Sequence, residues 1–566
     1  MNPRLARFLP FLSWWPMRGE TVRADLIAGI TVSLVAIPQS LAYAQLAGVP
    51  AYYGLYAALI PTVIGALFGS SHQLSTGPVA MTSLLTAASI APLAPHGSEL
   101  FYSYAILLAL VSGLFQIAFG MLRVGVLLNF LSNPVLMGFI NAAAIIIGLT
   151  QLPTLLGINA VQSEHFLLDI MQVLLHIDTA NLLSVGFGVS AILLLTVFKK
   201  YAPQLPGVLI TVASLTWLSY EIDYASLGGM VVGVVPQGLP TLSIPPLDWH
   251  ATAALLPASF VIALISFMEA MSSCKVIAIK TRQPWDENRE LIGQGLAKVA
   301  AAFSQSMPVS GSFSRSALNL ASDARTPLSS VISAVFVLLT LLFFTSLLYH
   351  LPKPVLAAII MMAVMNLINW QSVRNAWRAN RDDGVASIVT FLATIAFAPN
   401  IQNGILTGII LSLALLLYRM TQPRVAVLGL HSDSTLRDAV RHNLPPLHPG
   451  LGAIRFDGAL RFVNVSYFED ALMKLERENP DISFILIQSS GINEIDASGI
   501  EMLRNMLDRF ESSGMKLAFS GLKKQVSDVM DRTGLTDKIG VQNIFATDRH
   551  AIDEICRRLD TQATTL

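Results

Sequence analysis

Between residues 26 and 98 the chain contains no Asp, Glu, Lys or Arg. An uncharged stretch of that length holds several apolar spans, because about 20 apolar residues cross a hydrocarbon layer roughly 30 Å thick. Of the 566 residues, 53% are hydrophobic and 13% charged, and mean hydropathy is +0.60. Soluble proteins carry about 25% charged residues. The formal net charge of zero conceals an asymmetry. Residues 1–424 hold 20 of the 36 bases and 16 of the 36 acids, so the last 142 residues hold 16 and 20. This implies a short segment 1–24, a polytopic membrane domain over 25–424 and a charged, soluble-type domain over 425–566. Cys274 and Cys556 fall in different domains and form no disulfide or metal pattern. Residues 1–24 contain no cleavable signal, and the aromatic stretch 11–15 reads as an interfacial piece.

Apolar segments separated by Pro, Gly or charge fall at about 25–46, 52–69, 78–91, 101–120, 124–151, 182–198 and 206–220. A second group falls at about 253–274, 290–305, 313–322, 327–350, 354–370, 384–398 and 403–418. Segments 78–91 and 313–322 are too short to span as helix, and each is the third of its group. With a cytoplasmic N-terminus, alternation places nearly all loop Lys and Arg inside, leaving Lys353 as the one exception in an outer loop. Seven is odd, so the second group enters from the opposite side. Two inverted repeats, about 25–220 and 253–418, are the plan of secondary transporters with a midplane site between short helices.

Both short segments follow a broken stretch: Thr76, Gly77 and Pro78 in LSTGPVAMTS, and Ser310, Gly311 and Ser312 in PVSGSFSRSA. Pro78 suits the first helical position, where no N–H partner is needed. The second helix is expected to start near Phe313. Two helix N-termini facing one another aim both positive dipole ends at one region. Arg315 adds a full charge, which costs roughly 2.5–3.5 kcal/mol at membrane depth and so marks a wet or functional interior. The arrangement is an anion site. Glu269 follows a long apolar run in LLPASFVIALISFMEAMSSCK and is costly there when ionised, which suits a proton or cation site coupled to transport; a structural hydrogen-bond partner is the plainer alternative. On the first segment, Pro38 is expected to break the helix. Gln39 and Tyr43 share a face at i, i+4, and Gln39 either donates to an anion or caps the break.

The strings IPQSLAYAQLAGVPAYYGLYAALIP (37–61), SSHQLSTGPVAMTSLL (70–85), FMEAMSSCKVIA (267–278) and ENRELIGQGLAKVAAAFSQSMPVSGSFSRSALN (287–319) resemble the sulfate permease (SulP) family of anion transporters. The resemblance implies a homodimer of fourteen-segment protomers, each divided into a scaffold and a moving, substrate-bearing core. It places the anion between Pro78, Val79 and Ala80 on one side and Ser312, Phe313, Ser314 and Arg315 on the other, with Gln39 and Tyr43 lining the pocket. The eighth segment resembles the sulfate/proton symporter branch, in which a Glu at the position of Glu269 is implicated in coupling. A sodium–bicarbonate branch has an Asp there and a hydroxyl four positions later, a pair that would be Glu269 and Ser273 here. Lys298 departs from the pattern, which leads to an uncharged polar residue such as Asn; it reads as a side chain that snorkels from the pocket's edge.

From about residue 426 short strands alternate with amphipathic helices, implying an α/β domain. AIRFDGALRF reads as a hairpin turning at Asp457–Gly458. FILIQSS and KLAFSG read as strands, and ASGIEMLRNMLDRFESSG as a helix closed by Gly514. Residues 431–450 look like a flexible insertion. IDASGIEML and GLKKQVSDVMDRTGL resemble the STAS domain, in whose anti-sigma antagonists the Ser at the position of Ser498 is phosphorylated; a helix cap is the simpler role. There is no P-loop, no dinucleotide fingerprint and nothing that points to nucleic acid or to an enzyme.

The expectation is therefore a multi-pass protein of a cell membrane, a bacterial inner membrane by preference, with both termini cytoplasmic. It would take up an inorganic oxyanion, sulfate first, together with one or more protons and no bound cofactor. Sodium-coupled bicarbonate transport, or exchange or channel conduction of chloride, bicarbonate or dicarboxylates, is the alternative. Membrane lipid, a second copy of the chain and a protein partner at the STAS domain are its expected contacts.

Overall fold

The computed structural model describes residues 11, 14, 17–123, 132–158, 166–202, 205–433 and 435–565. The expected interfacial piece at 11–15 and the start of the segment 124–151 lie largely outside them. The chain divides into two compact units, Met1–Ser412 and Leu413–Leu566, a division twelve residues before the expected one.

The first repeat contains α1 (Gly19–Leu46), α2 (Ala51–Ala57), α3 (Ile60–Phe68), β1 (Ser75–Gly77), α4 (Ala80–Ile90) and α5 (Glu99–Met121). It continues with α6 (Asn133–Thr150), α7 (Leu152–Leu156), α8 (Phe166–Leu175), α9 (Leu182–Tyr201) and α10 (Gly207–Glu221). The second contains α11 (Trp249–Thr281), α12 (Glu287–Phe303), β2 (Ser310–Ser312), α13 (Phe313–Ala321), α14 (Leu328–Phe343) and α15 (Thr345–Tyr349). Then come α16 (Lys353–Met365), α17 (Trp370–Ala379), α18 (Arg381–Ala396) and α19 (Gln402–Thr421). All fourteen expected segments are helical where described, and the third of each repeat is a short helix preceded by extended backbone. Among the described residues, eight helical stretches are long and apolar enough to cross a membrane.

Helix α1 runs unbroken through Pro38, contrary to expectation. A proline removes one donor from the ladder, and packing makes up for it. Residues 38–44 are all buried, and α2 presses on them so closely that a Cβ at Gly54 would lie 1.8 Å from the Ser40 carbonyl oxygen. Helices α5 and α12 meet across Gly113 and Gly295, where a Cβ on either would lie 2.8 Å from the other's carbonyl oxygen. Two buried carboxylates tie the repeats together. Asp25 on α1 accepts from the backbone N–H groups of Arg325 (2.7 Å) and Thr326 (3.0 Å). Glu290 on α12 accepts from those of Ser70 (2.8 Å) and Ser71 (2.9 Å). Each satisfies backbone donors in a loop of the other repeat, and such charge-assisted bonds are the stronger kind.

The second unit is a six-stranded sheet flanked by helices. Its strands are β3 (Arg424–Leu430), β4 (Leu436–Asp438), β5 (Leu451–Asp457), β6 (Phe484–Gln488), β7 (Lys516–Ser520) and β8 (Ile544–Phe545), in the order β4-β3-β5-β6-β7-β8. The pairs β3–β4 and β3–β5 are antiparallel, and those from β5 to β8 are parallel. Strand alternation sends Ile454 and Phe456 to one face and Leu451 and Ala453 to the other. Helix α20 (Ala439–His442) is a single turn; the first face packs with Phe468, Leu503 and Phe510 of α21 (Val465–Glu478) and α22 (Ala497–Ser512), and with Met530 of α23 (Lys524–Arg532) and Leu535 of α24 (Leu535–Ile539). The second packs with Ala551 and Ile555 of α25 (Asp548–Thr565).

Two expectations here are corrected. Residues 453–462 are not a hairpin: β5 pairs with β3 and β6, and Leu460 forms only an isolated parallel bridge to Ile495. Asp457–Gly458 ends a central strand whose partners lie distant in sequence. Residues 431–450, read as a flexible insertion, contribute β4 and a helical turn at Ala439–His442 wherever they are described.

Candidate functional site

Strands β1 and β2 pair antiparallel in the register Ser75↔Ser312, Thr76↔Gly311, Gly77↔Ser310. The expected counterparts of the two repeats are thus joined by a ladder at the centre of the membrane unit. Because the strands are antiparallel, α4 and α13 leave from opposite ends of the ladder, each with its N-terminus toward it. Close packing fixes the ladder: a Cβ at Gly311 would lie 2.9 Å from Ala270 Cβ of α11 and 2.9 Å from Leu74 Cδ1. Side chains complete it. Ser316 Oγ accepts from Ser75 N (2.9 Å), Thr62 Oγ1 donates to the Thr76 carbonyl (2.8 Å), and Ser310 Oγ donates to the Ser266 carbonyl (2.8 Å).

The two helix starts differ. Ser312 caps α13 by accepting from Arg315 N at 3.4 Å. Helix α4 begins at Ala80 after Val79 in extended conformation, with no side-chain cap. Pro78 therefore precedes the helix instead of occupying its first position, and the first-turn N–H groups of α4 have no side-chain acceptor. Pro78, Val79 and Ala80 are all buried, as is Gly77.

Arg315 reaches across the ladder. Its Nη1 donates to the Pro78 carbonyl at 2.9 Å, while Nη2 is buried without a partner. A Cβ at Gly77 would lie 3.0 Å from that Nη2, so the absence of a side chain there leaves room for the guanidinium. Tyr43 and Glu269 lie close enough to interact electrostatically with Arg315. Tyr43 and Gln39 are buried on α1, and Gln39 Oε1 has no partner. Glu269, on α11, is flanked by Arg315, Lys298 and the Ser310 hydroxyl, and its Oε2 is buried without a partner.

Several predicted residues stand apart from this group. Thr76 Oγ1 accepts from Gln294 Nε2 (2.8 Å), which makes it part of the ladder's support. Phe313 and Ser314 are exposed in the isolated chain, Phe313 at 51%, while Arg315 beside them is buried. Ser273 Oγ donates to the Glu269 backbone carbonyl at 3.1 Å, not to its carboxylate. Lys298 does not snorkel: it is fully buried and donates to Gln116 Oε1 (2.9 Å) and Ser266 Oγ. Sequence reasoning missed Asp25, Glu290, Gln294 and Gln116; only Glu290 and Gln294, four apart on an apolar helix, carried a local signal.

In the second unit Ser498 is not the cap of α22. Asp496 is, accepting from Gly499 N at 2.9 Å, and Ser498 is exposed in the helix's first turn. Among the described residues no cluster of His, Cys, Asp or Glu has the makings of a metal site.

Residues 22–390 match the sulfate permease family and residues 445–551 match the STAS domain. Sulfate transporter 4.1 (chloroplastic) of Arabidopsis thaliana is 33% identical over 554 residues, covering 95% of this chain and 80% of that protein. A probable sulfate transporter of Mycobacterium tuberculosis is 30% identical over 558 residues, covering 98% of both. The solved structure of SLC26A9 shares the fold with a TM-score of 0.89 at 20% identity, covering 99% of this chain and 94% of that one. The chain belongs to the sulfate permease family, as a multi-pass membrane transporter with a C-terminal STAS domain.

Proposed function

We propose that the protein takes up sulfate by proton symport, with the anion held between α4 and α13. The observation that carries this reading is the pair of buried, unpartnered atoms of opposite charge at the ladder: Arg315 Nη2 and Glu269 Oε2. A tetrahedral oxyanion would accept from the uncapped first turn of α4 and from Arg315 Nη2, with Gln39 and Tyr43 offering neutral donors. An ionised Glu269 competes with that anion for Arg315; a protonated Glu269 does not. Proton and sulfate binding then favour one another, which is the linkage a symporter needs. The electrical work supplies the reason. An interior-negative potential opposes a dianion by about 4.6 kcal/mol per 100 mV, and each accompanying proton offsets about half of that.

The relatives' names as sulfate transporters support the substrate. The Lys and Arg pattern supports cytoplasmic termini, and the family resemblance supports a homodimer. The exposed Ser498, at a helix N-terminus, suits a phosphate by charge, so the STAS unit is the place for regulation or a protein partner. Purified protein in liposomes tests the transport reading. Labelled sulfate should accumulate when the outside is acidified and equilibrate when it is not. Uptake that ignores the proton gradient and requires only an internal anion would make the protein an exchanger instead.

A further inference from the structure

We infer that the groove between α17 and α18 binds an anionic phospholipid, with its phosphate at Arg374 and Arg378 and an acyl chain along α18. The site lies outside the anion cradle and depends only on the unit's place in a membrane. Trp370, Val373, Arg374, Trp377 and Arg378 of α17 fall at i, i+3, i+4, i+7 and i+8, so they share one face. With Ile388 of α18 they line an open groove of about 420 Å3, a usual size for a ligand cleft. On the other face Gln371 and Asn375 bond to each other at 3.0 Å and carry no charge.

The groove is held in shape at both ends. Asn369 caps α17 by accepting from Ser372 N (3.0 Å). It also pairs twice with Asn141 of α6, donating from its N–H to Oδ1 (2.6 Å) and accepting at its carbonyl from Nδ2 (3.2 Å). Trp370 meets Phe391 of α18 edge to face, with ring centroids 5.4 Å apart. Trp377 lies on the backbone of Gly384, where a Cβ would come within 2.5 Å of its Cε3. Each indole is thus fixed on one side by α18 and still exposed on the other, Trp370 at 54% and Trp377 at 46%.

Charge and apolar surface together say what covers it. Arg374 and Arg378 are exposed, and among the described residues neither has a carboxylate partner. Asp382 and Asp383 do not line the groove. Past the arginines, Val385, Ile388 and Leu392 form an exposed apolar row at i, i+3 and i+7 along α18. A guanidinium pairs well with phosphate, tryptophan suits the headgroup level, and the row suits an acyl chain. A free phosphate or a polar peptide would use only half of this surface. The Lys and Arg pattern assigns this end of the unit to the cytoplasmic side, where anionic lipid meets basic groups. Lys199 at the end of α9 donates to Asn366 at 2.8 Å, so the basic ends of two helices stand at one level.

The test uses the full-length protein in phosphatidylcholine vesicles containing a rising fraction of phosphatidylglycerol with brominated chains, which quench the tryptophans they touch. Brominated phosphatidylcholine is the control. In wild type, half-quenching by phosphatidylglycerol should need a mole fraction about thirty-fold lower than the control, roughly five-fold for each arginine. Arg374→Gln or Arg378→Gln alone should leave a preference of about five-fold, and the two together should abolish it. Both side chains are exposed, so these variants should fold. Trp370→Phe combined with Trp377→Phe should remove the early quenching, because the remaining tryptophans lie elsewhere in the sequence. Equal quenching by the two lipids in wild type overturns the inference. So does a preference that survives in the double arginine variant or the double tryptophan variant. Arginine changes that shift the fraction of dimer but leave the lipid preference intact also overturn it, and assign the face to a second copy of the chain. None of these outcomes depends on sulfate transport.

Discussion

Arg315 is the residue whose replacement reports most on the anion cradle. Its guanidinium divides its work: Nη1 holds the Pro78 carbonyl across the ladder at 2.9 Å, and Nη2 is buried and uncommitted. A hydrogen bond to a charged group contributes about 1.5–3 kcal/mol. At 1.4 kcal/mol per factor of ten, losing the Nη2 contact should raise the KM for sulfate by about ten- to one-hundred-fold. Arg315→Lys keeps the charge but has one ammonium for two tasks, so it belongs near the lower figure. Arg315→Ala removes the charge as well and belongs near the upper. Neither should abolish binding, because the N–H groups at the start of α4 remain. Initial rates of labelled sulfate uptake in liposomes, at a fixed proton gradient, give the two KM values. A KM within about two-fold of wild type in a folded Arg315→Lys protein would refute the assignment of Nη2 to the anion. Complete loss of binding in Arg315→Ala would refute the shared cradle and make Arg315 the sole ligand.

In the STAS unit, Asp496→Ala removes the cap of α22 and also the acceptor for Phe462 N at 2.9 Å. It should cost about 0.5–2 kcal/mol, read as faster amide hydrogen exchange over Ala497–Ser512 in the full-length protein. The carboxyl of Glu554 is held at about 2, below its ordinary 4.5, by hydrogen bonds from Arg557 and Arg558. A depressed carboxylate contributes stability above its ordinary range and loses it as pH falls toward the folded value. Protection of the α25 amides, taken relative to the intrinsic exchange rate at each pH, should therefore fall as pH drops from 5 toward 2, and Glu554→Gln should flatten that dependence.

The sequence made the membrane unit readable because hydropathy and helix length are local quantities. The shortness of 78–91 and 313–322, each after a Gly-containing break, pointed to two half-helices, and they meet as a ladder. What stayed hidden was long-range. No local pattern announces that Asp25 holds the backbone of residues 325 and 326, or that Gln116 turns its carbonyl toward Lys298. The unbroken α1 shows the same limit: Pro38 signals a break locally, while the packing of α2 against Ser40 decides otherwise. Asp457–Gly458 is a genuine turn signal, but the partner of β5 lies about thirty residues upstream in β3, beyond any local rule. Ser498 and Asp496 sit two positions apart at a helix start, and either residue type can cap. Residue type alone does not choose between them.

The central claim is that Glu269 couples protons to an anion bound at the ladder. Sulfate counterflow and acid-driven accumulation, measured side by side on Glu269→Gln in liposomes, test it most directly. The account predicts that counterflow persists, because the cradle of α4 and Arg315 is intact, while accumulation against a gradient disappears. Acid-driven accumulation at the wild-type level in Glu269→Gln would contradict it.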